Sequence, residues 1–329
     1  MKPSVLVTTR MPSAVMQLLE ESCEVDLHEG GDLTEDELVA RLQGKQGVLS
    51  VFTNQMTRRV IESAAALKVI ANVAVGYNNV DVAAAQERGI VVTNTPDVLT
   101  EATANLTWTL ILDCTRRVSE GDRLVRRGGW KGWTFNFMLG SDLAGKQLGV
   151  VGWGRIGRAV ARRALAFDMR VASYSPRGAA GQAPSSAGRS SEDVAKTTEF
   201  MPLDRLLATS DIVTLHCPLT AGTRHLIDQT ALARMKRSAY LINAARGPVV
   251  DEAALAWALK NRMISGAALD VYEREPEIHP DLLTLENVVL APHLGSSTME
   301  ARVAMADLAA RNAIAVMSGQ PPLTPVPRA

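Results

Sequence analysis

The run Leu148-Gly149-Val150-Val151-Gly152-Trp153-Gly154-Arg155-Ile156-Gly157 constrains this chain more than any other stretch. Its apolar first half reads as a buried strand ending at Gly152. The Ala- and Arg-rich residues from Arg158 to Ala164 carry helical periodicity. A G-x-G-x-x-G pattern between a strand and a helix predicts a dinucleotide-binding turn. Gly152 would allow the tight turn, Gly154 would let a pyrophosphate approach the backbone, and Gly157 would let the helix pack on the strand. The helix N-terminus would supply N–H donors and a partial positive charge. The competing reading is a glycine-rich turn with no ligand.

Around this motif apolar strands alternate with helical segments in two series. The first runs through Ser4–Thr9, Pro12–Glu20, Gly47–Phe52, Thr57–Ala66, Leu67–Val73, Asp81–Arg88 and Ile90–Thr93, with Thr34 and Glu37 forming a capping box for a further helix. Asn94-Thr95-Pro96-Asp97 breaks it, and a long apolar helix follows over about Glu101–Arg117. The second series starts at Lys146 and continues through Met169–Tyr174, Asp211–Leu215, Gln229–Met235, Ala239–Asn243, Glu252–Arg262, Gly266–Leu269 and Asn287–Leu290. Strands separated by helices predict right-handed crossovers and parallel sheets. The fold class expected is α/β, with two Rossmann-like doubly wound domains and an interdomain cleft. A last helix, about Thr298–Met317, would return to the first domain. The expected division is 1–98 plus 295–329 for substrate and 99–294 for dinucleotide.

At 329 residues the chain suits two domains, and 47% hydrophobic with 21% charged residues is ordinary globular composition. Lys+Arg and Asp+Glu are both 35, so no global field favours nucleic acid or an anionic membrane. The start has no signal-peptide layout, and no apolar run is long enough to span a bilayer. Cys23, Cys114 and Cys217 lack metal-ligand spacing and read as reduced thiols, which predicts a cytoplasmic location and no metal. Residues 126–146 hold Trp130, Trp133, Phe135, Phe137 and Met138. This cluster is either a local core or, the favoured reading, a homodimer interface spanning the 101–140 region. The Gly-, Ala- and Ser-rich stretch Arg177–Lys196 predicts a mobile loop.

Coenzyme preference would be decided about 20 positions beyond the glycines, where an acidic residue receives the adenosine ribose of NAD. Here Ser173-Tyr174-Ser175-Pro176-Arg177 offers no carboxylate. Ser175 can donate to a 2′-phosphate and Arg177 can bind it by charge-assisted bonds, which favours NADP(H) and leaves NAD(H) open. Arg189 would add a second positive charge. Three later segments each end a strand: Asn243-Ala244-Ala245-Arg246-Gly247, Asp270-Val271-Tyr272-Glu273-Arg274-Glu275-Pro276 and Pro292-His293-Leu294-Gly295. Singly, Arg246 is a surface ion-pair partner, Glu275 a turn residue and His293 a loop histidine. Together they equip one rim for proton transfer to a carbonyl beside a carboxylate. His28 and His279 read as surface residues, and His225 and His216 as structural ones.

These segments, with Val75-Gly76-Tyr77-Asn78-Asn79-Val80-Asp81 and Asn94-Thr95-Pro96, stand in an order that resembles the D-isomer-specific 2-hydroxyacid dehydrogenases over essentially the whole chain. Val75-Gly76-Tyr77, Thr95–Thr100 and the Trp-rich loop are most similar to the glyoxylate/hydroxypyruvate reductases of that family. The resemblance implies an oxidoreductase that reduces glyoxylate and hydroxypyruvate to glycolate and D-glycerate, with His293 as acid/base and Glu275 favouring its charged form. Arg246 would hold the substrate carboxylate, joined by the backbone N–H groups of Val75 and Gly76. Asp270 would accept from the nicotinamide carboxamide. The coenzyme would also meet Arg155 and Ile156 at its pyrophosphate, and Val75, Thr103, Cys217, Pro218, Ala244, Ala245, Arg246, His293 and Gly295. Phe52 would narrow the substrate pocket, and Phe137 would close that of the partner subunit. The alternatives are reduction of another 2-keto acid and a dinucleotide-sensing scaffold of the corepressor type.

Overall fold

Parallel pairing organises every described strand, in two separate sheets. A computed structural model describes residues 2–176 and 190–327, and of residues 190–193 the backbone alone. The chain divides into two compact units, Met1–Leu99 with Thr298–Ala329, and Thr100–Ser297.

In the first unit β1 (Ser4–Val7), α1 (Ser13–Ser22), β2 (Glu24–Leu27), α2 (Glu35–Arg41), β3 (Gly47–Ser50), α3 (Arg58–Ser63), β4 (Val69–Asn72), α4 (Val82–Glu87) and β5 (Val91–Thr93) follow one another. The sheet order is β2-β1-β3-β4-β5. Strands β3 and β4 are buried along their whole length, as expected where helices cover both faces. Helix starts are fixed by side chains: the Thr34–Glu37 capping box is present on α2, and Thr57 and Asp81 cap α3 and α4. Strand β2 has no counterpart in the sequence reading. It is a short edge strand of alternating charged and apolar residues, too weak a pattern to stand out.

The second unit begins with α5 (Thr100–Arg116) and α6 (Val118–Arg126), divided at Arg117, which adopts a left-handed φ of 58°. It continues through β6 (Gln147–Val151), α7 (Arg155–Ala164), β7 (Arg170–Tyr174), α8 (Ser190–Thr197), β8 (Glu199–Phe200), α9 (Leu203–Thr209), β9 (Ile212–Leu215) and α10 (Gln229–Arg234). Then come β10 (Tyr240–Asn243), α11 (Glu252–Lys260), β11 (Gly266–Leu269), α12 (Pro280–Leu283) and β12 (Val288–Leu290). Their order, β12-β11-β10-β9-β6-β7-β8, reverses direction between β6 and β9. In open α/β sheets such a switch point leaves a crevice at the carboxyl ends of the strands. Helix α13 (Met299–Met317), capped by Thr298, packs on α1, β3 and β4 of the first unit.

The expected loop over Arg177–Lys196 needs correction at its end. Helix α8 occupies Ser190–Thr197, because Val194 is fully buried with Ala195 packed beside it in the core around α7. Residues 177–189, including Arg177 and Arg189, lie outside the described residues. The aromatic loop does not form a local core: Trp130, Trp133 and Phe135 are 56%, 74% and 82% exposed. Among the described residues no helix is long and apolar enough to cross a membrane, and no acidic, His or Cys cluster has the makings of a metal site.

Candidate active site

The three glycines of the motif do three different things. Gly152 has a φ of 102°, and a Cβ there would meet the His216 carbonyl carbon and the Cys217 nitrogen at 2.6 Å. Gly157 abuts the Gly152 carbonyl so closely that a Cβ would lie 2.1 Å from it. A Cβ on Gly154 would meet nothing within 4 Å, so the space before the α7 N-terminus is open there. Tight turn, close packing and an open approach to a helix N-terminus form a cradle that fits a dinucleotide pyrophosphate. Arg155 and Ile156 occupy the first turn of α7.

Residues predicted to accompany the glycines gather around the same turn. The β6–β7 register pairs Val151 with Tyr174, and the Gly152 N–H donates to the Tyr174 carbonyl at 2.8 Å, which brings Ser175 and Pro176 alongside. His216 donates its N–H to Val151 at 2.7 Å, placing Cys217 and Pro218 on the other side. Burial pushes the Cys217 thiol up to about 11.

The rim of β10, β11 and β12 carries the charged groups. Asn243 ends β10 and folds the next loop back on itself: its Oδ1 accepts from the Ala245 N–H at 3.1 Å and its Nδ2 donates to the Arg246 carbonyl at 3.0 Å. Ala244 and Ala245 are thereby fixed, and Arg246 follows. Its guanidinium donates to the Ala245 carbonyl at 2.7 Å and has no carboxylate in hydrogen-bond contact among the described residues. Burial lowers its pKa against the opposing charge of Glu275. A half-buried guanidinium with most donors unspent is matched by an anionic ligand.

Glu275 holds the centre of this rim. Its Oε2 lies 2.7 Å from His293 Nδ1, and its Oε1 accepts from the Tyr272 N–H at 3.0 Å. Burial pushes the carboxyl up, but the hydrogen bond and charge of His293, then the Tyr272 N–H and Arg246, hold it below the ordinary value. The loop bearing His293 is pinned by Asp270. The Asp270 carbonyl accepts from the His293 N–H at 2.9 Å, and its two carboxylate oxygens accept from Leu294 and Gly295 at 2.6 and 2.8 Å. Burial raises the Asp270 carboxyl despite those two N–H groups and His293. Thr103 on α5 closes the same corner, its Oγ1 3.7 Å from where a Gly295 Cβ would stand.

Two supports carry no signal that isolated motifs provide. Glu252, buried at the start of α11, accepts from the Glu273 N–H at 2.5 Å and the His279 N–H at 3.2 Å, while Glu273 accepts from the Glu252 N–H at 3.0 Å. Gly247 abuts the Tyr272–Glu273 backbone, where a Cβ would come within 1.8 Å of the Tyr272 carbonyl. The Arg246 and Glu275 loops are therefore locked together. His225 pairs with Glu273 at 3.1 Å, the structural role expected of it, and His279 caps α12. His28 is half-buried against Arg41 rather than on the surface. A pocket at the opposite, amino ends of β10–β12 also carries arginines, but Arg117 pairs with Glu120 at 2.6 Å and Arg123 with Glu286 at 3.1 Å. Two of its three lining arginines are therefore already matched.

In the first unit, Val75 and Gly76 follow β4, and Phe52 lies half-buried in the turn after β3. Phe137 sits in the exposed aromatic loop, 37% accessible.

Residues 108–295 match the model of the D-isomer specific 2-hydroxyacid dehydrogenase NAD binding domain. A glyoxylate reductase of Thermococcus onnurineus is 43% identical over 100% of this chain and 97% of its own, and one of Thermofilum pendens is 45% identical over 98% and 93%. The solved structure of an NADPH-dependent glyoxylate/hydroxypyruvate reductase from Sinorhizobium meliloti, in complex with NADP and malonate, superposes with a TM-score of 0.86. It is 33% identical and covers 100% of this chain and 98% of that one. With its paired parallel sheets, glycine cradle and full-length similarity, the chain belongs to the D-isomer-specific 2-hydroxyacid dehydrogenases, NAD(P)-dependent enzymes.

Proposed function

We propose that the chain reduces glyoxylate and hydroxypyruvate to glycolate and D-glycerate and prefers NADPH. The observation that carries this reading is the half-buried Arg246 guanidinium, unmatched by a carboxylate among the described residues, beside a Glu275 that holds His293. Such a rim binds a small carboxylate and keeps a proton donor next to it. The names of the relatives, glyoxylate reductase and glyoxylate/hydroxypyruvate reductase, support the same substrates.

The nicotinamide coenzyme supplies hydride when bound. Gly152, Gly154, Arg155, Ile156 and Gly157 would hold its pyrophosphate, Cys217 and Pro218 its adenosine, and Ala244 its nicotinamide ribose. Thr103, Asp270 and Gly295 would meet the nicotinamide. Arg246 binds the substrate carboxylate and polarises the adjacent carbonyl, with Val75 and Gly76 N–H donating to the same carboxylate. His293 gives its proton to the carbonyl oxygen as the carbon is reduced, and takes it back in reverse. Glu275 orients the imidazole through Nδ1, and Nε2 would serve the substrate. Ser175, with no carboxylate at that position, favours a 2′-phosphate over bare ribose hydroxyls, and Arg177 would add a positive charge.

The active form is a homodimer joined through the 101–140 region, with Phe137 reaching the partner's substrate pocket and Phe52 limiting substrate size. The exposed Trp130, Trp133 and Phe135 support this, since aromatic side chains in solvent are costly and suit interfaces. We assign it to the cytoplasm on its free cysteines. Initial rates of NADPH and NADH oxidation with glyoxylate, then hydroxypyruvate, test the proposal. Fast NADPH-dependent turnover of both upholds it. Faster turnover with NADH overturns the coenzyme preference, and turnover only with larger 2-keto acids overturns the substrates.

A further inference from the structure

The loop after β4 is held in an unusual way. Three successive carbonyls are each pinned by a donor from within the first unit. The Ala74 carbonyl accepts from the Thr95 N–H at 2.9 Å, and the Val75 carbonyl accepts from Asn94 Nδ2 at 2.8 Å. The Gly76 carbonyl accepts from Asn72 Nδ2 at 2.9 Å. Asn72 is itself braced by a third amide, since Asn79 Nδ2 donates to Asn72 Oδ1 at 3.1 Å and to the Asn54 carbonyl at 3.0 Å. Asn72 and Asn79 are buried, and the Asn54 side chain closes the turn after β3 by accepting from the Val51 N–H at 3.1 Å.

In a trans peptide the carbonyl and the following N–H point in opposite directions. Fixing the carbonyls of Ala74, Val75 and Gly76 therefore fixes the N–H directions of Val75, Gly76 and Tyr77, each away from its pin. Among the described residues these three N–H groups have no acceptor. Consecutive main-chain donors held this way make an anion-binding concavity, and holding them before the ligand arrives removes the cost of ordering the loop.

We propose that Asn94 and Asn72, the latter braced by Asn79, are positioning residues for the substrate carboxylate, and that the Tyr77 N–H joins those of Val75 and Gly76 in receiving it. This rests on the proposed reduction of small 2-oxo acids and names the residues that set its affinity for the carboxylate end. The asparagines touch neither substrate nor coenzyme; they act through the peptide planes they hold.

The test is Asn94→Ala, chosen because Asn94 is only half-buried and its backbone bonds to Thr324 survive the change. With saturating NADPH, KM for glyoxylate and the inhibition constant of oxamate should rise together, about tenfold for one lost orienting bond, while kcat stays within about twofold. Coenzyme affinity and Tm should stay unchanged, which a merely structural role would not give. Asn72→Ala should act in the same direction and more strongly, and Asn94→Ala decides alone where that variant does not fold. An unchanged KM and oxamate constant in Asn94→Ala, or a fall in kcat at constant KM, overturns the assignment. Wild-type chain inactive on every 2-oxo acid would overturn the functional reading instead. Calorimetric binding of oxamate to the coenzyme complex would then still decide the asparagines, with weaker binding in Asn94→Ala for them and equal binding against.

Discussion

His293 Nδ1 and Glu275 Oε2 stand 2.7 Å apart, and the bond fixes which nitrogen of the imidazole turns toward the carboxylate. Because His293 holds Glu275 below the ordinary carboxyl value, the pair stays intact as pH falls into the mildly acidic range. Its contribution is present above the ordinary carboxyl value and is lost only as pH drops through the lowered one.

Replacing His293 with Ala should lower kcat for glyoxylate reduction by about two to four orders of magnitude. NADPH affinity, measured by fluorescence titration, should change by less than about threefold. Glu275→Gln should lower kcat less and shift the acidic limb of its pH profile. Retained activity in His293→Ala would remove the residue from proton transfer.

Ser175→Asp should move coenzyme preference toward NADH, because the new carboxylate repels a 2′-phosphate and accepts from ribose hydroxyls. The ratio of kcat/KM for NADPH over NADH should fall by about tenfold or more, the size expected for one charge-assisted contact. An unchanged ratio would take Ser175 out of coenzyme recognition.

Gly157→Ala and Gly154→Ala separate packing from binding. The first drives a methyl into the Gly152 carbonyl and should cost about 1–3 kcal/mol, read as a lower Tm. The second points into open space, so Tm should hold while NADPH binds more weakly. Equal effects on Tm would contradict this division of labour.

His216 predicts an acid-side loss of stability. Its Nε2 meets Thr214 Oγ1 at 2.9 Å, its Nδ1 is buried without a partner among the described residues, and burial pushes its pKa down to about 3 from 6.5. Between those values the unfolded chain binds a proton that the folded chain refuses, so stability rises with pH across that window and falls on acidification. At 1.36 kcal/mol per unit the cost is about 3 kcal/mol at pH 4. Urea melts of His216→Gln should show a shallower slope between pH 7 and 4, whatever its absolute stability. A slope equal to that of wild type would assign the acid loss to other groups.

Wild type should run as a dimer by sedimentation, and Trp133→Glu combined with Phe135→Glu should give a monomer. The two side chains are 74% and 82% exposed on the isolated chain, so the substitutions should leave its Tm nearly unchanged. A wild-type monomer would dismiss the interface.

The sheets and the rim were legible because their signals are local. Buried parallel strands read as continuous apolar runs, as residues 69–71 do, and glycines with Arg246, Glu275 and His293 sit at strand ends where the chain must turn. Strand β8 and helices α6 and α9 escaped notice, being short or, like α6, without one buried residue. The roles of Asn72, Asn94, Asn243 and Glu252 were out of reach for a different reason. Each acts by bonding to main chain brought near by folding, and an asparagine in sequence gives no sign of which carbonyl it will hold.

The lock made by Gly247 and the Glu252–Glu273 exchange bears on how far the effect of a substitution reaches. Arg246 and the Glu275–His293 pair are mounted on one frame, so a substitution that shifts one loop disturbs the other. Phe52 belongs to the other unit and stands outside that frame, so a change there leaves the frame intact.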